Sequence, residues 1–247
     1  MIPIADSPRD PHHRPWATGA LLLANIAVGV VTLPLGWVAW APDTLPAGIP
    51  LAAAEHLTRL DQLSFTLGFR PAAPSVLTVA TSMFLHGSLL HLLGNMLYLW
   101  IYGPNVERRL GRAAFLLLYA TGGLLGALLY ALVSLSSPIP VIGASGAISA
   151  LLGAYLVFFP INTIRLWFWV TTVRLPAFLV LVFFVVVDNL LPFLARTGSS
   201  VAHAAHLGGF FGGWCSPRAS AWWRPNVPSA PPRPTCWPRR CSSSSRA

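Results

Sequence analysis

Several polar side chains interrupt the long apolar runs of this 247-residue chain. One run carries His86, His91 and Asn95; another opens on Gly143-Ala144-Ser145-Gly146; a third holds Asp188 and Asn189; the last holds His203 and His206. Polar and ionisable groups in such runs cost free energy to bury and mark functional sites by default. A serine hydroxyl becomes a nucleophile when a neighbouring base takes its proton. The candidate bases are His203, His206, His91 and His86. Ser145 follows a proline-bearing loop and opens a helix, where free backbone N–H groups and the positive end of the helix dipole gather. That environment suits an oxyanion forming beside a serine nucleophile. Gly143 and Gly146 let the chain bend sharply and a substrate backbone come close. His91 and Asn95 are four residues apart and share one helix face, so an imidazole and an amide can donate to the same oxyanion. The chemistry of the set is acyl transfer through serine.

The rest of the composition decides what positions these residues. Hydrophobic residues make up 55% of the chain and charged ones 9%, against about a quarter charged in soluble domains. So few charges cannot cover a water-soluble fold, and they exclude a disordered chain and a coiled coil as well. An integral membrane protein remains. All 16 basic residues are arginine, against 7 acidic ones, for a net charge of +9. The arginines are scattered between apolar runs and form no dense basic face, so they read as topology signals and imply no nucleic-acid partner. Cys215, Cys236 and Cys241 all fall near the end of the chain and indicate no disulfide framework.

A membrane span needs about 20 apolar residues. The apolar runs predict an all-α, polytopic bundle of six spans, at about 17–40, 83–103, 114–134, 144–160, 174–194 and 199–214. The uncharged stretch 113–164 breaks at Ser136-Ser137-Pro138-Ile139-Pro140, where two prolines stop a helix. Residues 41–82 read as a long loop with short interfacial helices, and Arg174 as a side chain snorkelling from the end of span five. Residues 1–15 form an N-terminal segment, 16–214 the membrane domain, and 215–247 a Pro/Ser/Arg-rich low-complexity tail. With the N-terminus inside, Arg9, Arg14, Arg108, Arg109, Arg112, Arg165, Arg174 and the tail arginines lie inside, and only Arg59, Arg70 and Arg196 lie outside. This is the positive-inside bias. Spans two, four and six then run inward and place His91, Asn95, Ser145 and His206 roughly 0–13 Å below the outer edge, which predicts a shared, water-filled cavity open to the outer face. Gly208/Gly212, Gly209/Gly213 and Ser149/Gly153 have the small-residue spacing that lets membrane helices approach closely.

The stretch His86-Gly87-Ser88-Leu89-Leu90-His91-Leu92-Leu93-Gly94-Asn95, the loop Glu107-Arg108-Arg109-Leu110-Gly111, Gly143-Ala144-Ser145-Gly146 and Ala205-His206-Leu207-Gly208-Gly209 resemble the rhomboid intramembrane serine proteases. The four motifs occur in order, and the resemblance covers roughly residues 16–214. It implies a Ser–His dyad that hydrolyses peptide bonds in or near transmembrane segments of membrane-protein substrates, with no cofactor. By position it makes Ser145 the nucleophile and His206 the general base. His91, Asn95 and the Gly143 segment become the oxyanion and substrate-stabilising group, with His86 and His203 in support. It also implies lateral entry of the substrate between spans two and five, and a bacterial inner membrane with both termini cytoplasmic. One departure is Ser149, at a position where several family members carry an aromatic that stacks on the histidine.

Two further expectations concern charge. Glu107 is expected in an inner-surface ion-pair network with the arginines that follow it, and Asp188 as an end-cap of span five. Two other functions compete. One is a metal-binding transporter or metalloenzyme built on His86, His91, His203 and His206, although the chain has no His-Glu-x-x-His spacing. The other is a non-catalytic rhomboid-like protein that binds membrane helices. The oligomeric state and the substrate are not encoded in any of these motifs.

Overall fold

The computed structural model describes residues 2–8, 10, 12–39, 57–195 and 202–219. Expectations for 41–56, for Arg196 and for the tail beyond 219 fall outside the described residues. The elements in chain order are β1 (Ile2–Ser7), α1 (Trp16–Thr32, prolonged by a 3-10 turn to Trp37), α2 (Arg59–Leu67) and α3 (Val76–Ser82). They continue as α4 (Leu89–Leu110), α5 (Arg112–Val133), α6 (Ser145–Phe158), β2 (Thr163–Phe168) and β3 (Thr171–Pro176), and end with α7 (Ala177–Leu194) and α8 (His203–Ala219).

The fold is mostly helical, and its exposed surface marks it as a membrane protein. Trp16–Trp37, Arg112–Val133 and Ala177–Leu194 are each long and apolar enough to cross a bilayer. Their outward side chains are large and apolar, among them Val31 on α1, Leu117 on α5 and Phe183 on α7. A helix facing water carries polar residues there. Helix α6 is different. Every residue from Ala147 to Tyr155 is buried, so this short helix is apolar all round because other helices enclose it.

The enclosing contacts depend on residues with little or no side chain. A Cβ built on Gly209 would strike the Gly146 carbonyl of α6, and one on Gly213 would strike the Ala150 carbonyl. A Cβ on Gly126 of α5 would lie 2.7 Å from the Ala205 carbonyl, and one on Gly208 2.6 Å from the Leu125 carbonyl. Backbone therefore meets backbone where α8 crosses α6 and α5, as the glycine spacing predicts.

The helix ends are set locally. The Ser88 hydroxyl accepts the His91 N–H at 3.1 Å and starts α4. Gly111, at φ +78°, stops α4 and turns the chain into α5 in a conformation that disfavours side chains. In α2, the N-cap Thr58 and Asp61 form a reciprocal capping box. The helices α2 and α3 are the short elements expected within 41–82.

Several boundaries differ from the sequence-based ones. Residues 83–88 are not helical, so α4 begins at Leu89 and not at 83, and His86 lies in the turn before it. Arg174 is a residue of strand β3, and α7 begins only at Ala177. Helix α8 continues past 214, through Pro217, to Ala219. A proline two residues from a helix end leaves little helix beyond it to disturb, so it does not set the boundary that its sequence position suggests.

The all-α expectation needs a larger correction. A three-stranded antiparallel sheet, ordered β1-β2-β3, covers the end of the bundle opposite Ser145. Ile164 and Leu166 alternate inward and are buried, while Arg165 and Trp167 point out. Strand β1 lies within residues 1–15, read from the sequence only as an N-terminal segment. Its Asp6 is buried and accepts from Asn105 Nδ2 at 2.6 Å and from the Tyr155 hydroxyl at 3.0 Å.

Glu107 also departs from expectation. Fully buried, it turns away from the surface toward the start of α1. Its carboxylate accepts from the Ala17 N–H at 3.0 Å and from the Thr18 N–H and hydroxyl, each at 2.8 Å. It thus caps a helix 90 residues earlier, where the dipole favours negative charge.

Three substitutions test these contacts. Gly209→Leu destabilises the detergent-solubilised protein by about 1–3 kcal/mol or prevents its accumulation. Gly19→Ala, where an added Cβ meets nothing within 4 Å, leaves the unfolding midpoint unchanged or raised. Glu107→Ala lowers unfolding free energy by about 1–3 kcal/mol by orphaning the α1 donors. Thermal unfolding of the purified variants checks all three.

Candidate active site

Helix α6 begins at Ser145 because the preceding loop is held in an unusual path. Val141 and Phe69 exchange backbone hydrogen bonds at 3.0 and 2.8 Å, and the Gly143 N–H donates to the Ser82 carbonyl at 2.8 Å. Gly143 itself takes φ +120°, and a Cβ there would lie 2.7 Å from His91 Nε2. Glycine is required twice over, by conformation and by space. The loop therefore lies against the His91 ring just before it delivers Ser145.

His91 occupies the first turn of α4, which the Ser88 cap initiates, and Asn95 follows one turn later. Ser145, His91, Asn95 and His206 all line a single pocket of about 230 Å³. Helices α4, α6, α7 and α8 each contribute to its wall. Asn95 is buried, and its Nδ2 has no hydrogen-bond partner. A buried donor left unpaired costs stability, and here it lines the pocket that holds Ser145. A donor so placed can receive an oxyanion.

His206 is held from α7. Its Nδ1 lies 2.7 Å from Asn189 Oδ1. The Phe184 ring packs beside the imidazole, with centroids 6.3 Å apart and planes inclined by 29°. The aromatic neighbour missing at Ser149 is thus supplied by another helix. No hydrogen bond joins Ser145 to His206 in this arrangement, although both line the pocket.

The supporting histidines are placed differently. His86 is fully buried behind His91, ring edge to ring at 5.0 Å, and does not line the pocket. Its Nδ1 lies 3.2 Å from the Phe84 carbonyl. His203 opens α8 one turn before His206 and is also outside the pocket lining. Asp188, expected to cap a helix end, lies in a π-helical turn (Val186–Leu190) and lines the pocket. Among the described residues, no three His, Cys, Asp or Glu side chains gather as a cation-binding group.

Sequence reasoning assigned no role to Asn189 or Phe184. The available signal was the Asp188-Asn189 pair within an otherwise apolar run, which marks a polar site without saying which residue it serves. On the far side of the site, α4 and α7 meet through Tyr98 and Phe184, ring centroids 6.2 Å apart.

The unpaired Asn95 amide has a testable consequence. Asn95→Leu, of similar size and without the orphaned donor, raises the unfolding free energy by about 1–3 kcal/mol. Thermal or denaturant unfolding in detergent measures it; a clear loss of stability would mean that the amide is satisfied.

Comparison with known proteins points to one family. A rhomboid domain family model matches residues 73–220. The chain is similar to the putative rhomboid protease YdcA of Bacillus subtilis (strain 168), 40% identical over 78 residues that cover 31% of this chain and 38% of that protein. It is 43% identical over 76 residues to the rhomboid protease GluP of the same organism, covering 31% of this chain and 14% of GluP. It is 29% identical over 216 residues to RHOMBOID-like protein 1 of Arabidopsis thaliana, covering 81% of this chain and 52% of that protein. The chain thus spans about half of the last relative and less of the other two.

Proposed function

This chain belongs to the rhomboid family, and on that premise we propose that it is an intramembrane serine endopeptidase that cleaves transmembrane segments of other membrane proteins. The observation that carries the reading is the convergence of Ser145, His206, His91 and Asn95 on one pocket, from three separate helices, with the Asn95 donor unpaired. In this reading α1, α4, α5, α6, α7 and α8 are the six spans of a membrane domain over about 16–214. The pocket is the water-filled cavity, open to the outer face. In this reading both termini are cytoplasmic, which the arginine distribution supports, and the membrane is a bacterial inner membrane.

The chemistry then runs as follows. A substrate helix enters laterally between α4 and α7, past Tyr98 and Phe184, and its end unwinds into the pocket. The Ser145 hydroxyl gives its proton to His206 Nε2 while Oγ bonds to the scissile carbonyl carbon, whose π pair moves onto oxygen. The developing oxyanion is met by His91, by Asn95 Nδ2 and by backbone N–H groups at the start of α6. His206 passes its proton to the leaving amine as the C–N bond breaks. Water then repeats the sequence on the acyl-enzyme and releases the acid. No cofactor enters this scheme.

Cleavage of a reporter transmembrane substrate in liposomes tests the proposal. Ser145→Ala and His206→Ala each reduce turnover by on the order of 10⁴-fold or more. His91→Ala and Asn95→Ala reduce it by about 10²–10³-fold. Undiminished cleavage by Ser145→Ala would overturn the assignment.

A further inference from the structure

Helix α7 holds the proposed base by a side chain that the Ser–His scheme does not use. Asn189 is 2% exposed, and among the described residues it is the only one whose side chain hydrogen-bonds to His206. Its carboxamide makes two bonds in opposite directions. Nδ2 donates to the Phe184 carbonyl at 2.8 Å, and Oδ1 faces His206 Nδ1 at 2.7 Å. The first bond fixes the second. A carbonyl can only accept, so the NH2 group must point at Phe184, and the oxygen must point at the imidazole. Turning the amide over would set its oxygen against the Phe184 carbonyl and its NH2 against the ring, losing the anchoring bond. An acceptor at 2.7 Å from Nδ1 requires the proton on Nδ1. The lone pair is then on Nε2, the nitrogen that a neutral histidine needs in order to take the serine proton.

The local backbone explains why α7 can do this. Asn189 lies within the π-helical turn Val186–Leu190, a widening that is uncommon and frequent at functional sites. The same helix brings Phe184 beside the imidazole ring. One element therefore supplies a neighbour to the face of the ring and an acceptor to its edge.

We propose that Asn189 is a positioning residue: it fixes His206 in the Nδ1–H tautomer and stabilises the imidazolium as the ring takes the serine proton. Its catalytic consequence rests on the endopeptidase reading above; the tautomer itself does not. The arrangement parallels the acid or amide that orients histidine in soluble serine and cysteine hydrolases, with the third member coming from a membrane helix.

Two measurements test it separately. Nitrogen-15 NMR of histidine-labelled protein, with His206→Gln to assign the signal, finds the wild-type His206 protonated on Nδ1 at a pH where the ring is neutral. A proton on Nε2 would overturn the proposal whether or not the protein cleaves anything. In the reporter assay, Asn189→Leu lowers kcat by about 10–100-fold with KM little changed, and Asn189→Asp, which keeps an acceptor for Nδ1–H, recovers most of the loss. A folded Asn189→Leu protein with wild-type kcat would also overturn it. If wild type and Ser145→Ala are equally inactive, the endopeptidase reading fails while the tautomer result stands.

Discussion

Ser145 and His206 share a pocket because two helices approach until backbone touches backbone. Packed helices with ordinary side chains keep their axes about 8–10 Å apart. Where α8 crosses α6, the contact residues are Gly209 and Gly213 against the Gly146 and Ala150 carbonyls, with no room for a Cβ. In a bilayer this closeness has a further value, since association between helices draws on packing and not on exclusion of water. Side chains at those positions would push His206 away from the mouth of α6, and the remaining features of the site would have nothing to act on.

Around that contact, buried polar groups differ in their partners. Two carboxylates away from the pocket are tied down. Glu107 closes the open N-terminus of α1, and Asp6 joins β1 to α4 and α6 through Asn105 and Tyr155. Both bonds link segments some 90 or more residues apart and brace the bundle at the end away from Ser145. At the pocket the pattern changes. His206 is anchored on one nitrogen, and the Asn95 donor is left without a partner. Catalysis by preorganised donors requires a donor held in place and free to receive charge.

Much of this is legible in the amino-acid sequence, for local reasons. Charge-free runs, the Pro138/Pro140 break and the glycine spacing are properties of neighbouring residues, and they place the helices; the choice of His206 among four histidines rests on the family resemblance. What escaped depends on distant partners. The T-I-R-L-W-F alternation of β2 is visible at 163–168, but its partner β1 is more than 150 residues away and reads only as part of an N-terminal segment. Glu107 sits among arginines in sequence, which suggests ion pairs, whereas its partners are backbone N–H groups at positions 17 and 18. Asn189 is conspicuous as a polar residue in an apolar run, yet only the π turn and the arrival of α8 give it His206. Phe184 replaces in space an aromatic that Ser149 cannot supply, and no spacing rule connects it to residue 206.

The central question is whether Ser145 is an activated nucleophile. Treatment of the membrane-embedded protein with a fluorophosphonate, followed by peptide mapping, measures this without any knowledge of the substrate. The expected result is a single phosphonyl adduct on Ser145 that is lost in His206→Ala. Contrary results would be an adduct spread over other serines, or Ser145 labelling that persists unchanged without His206.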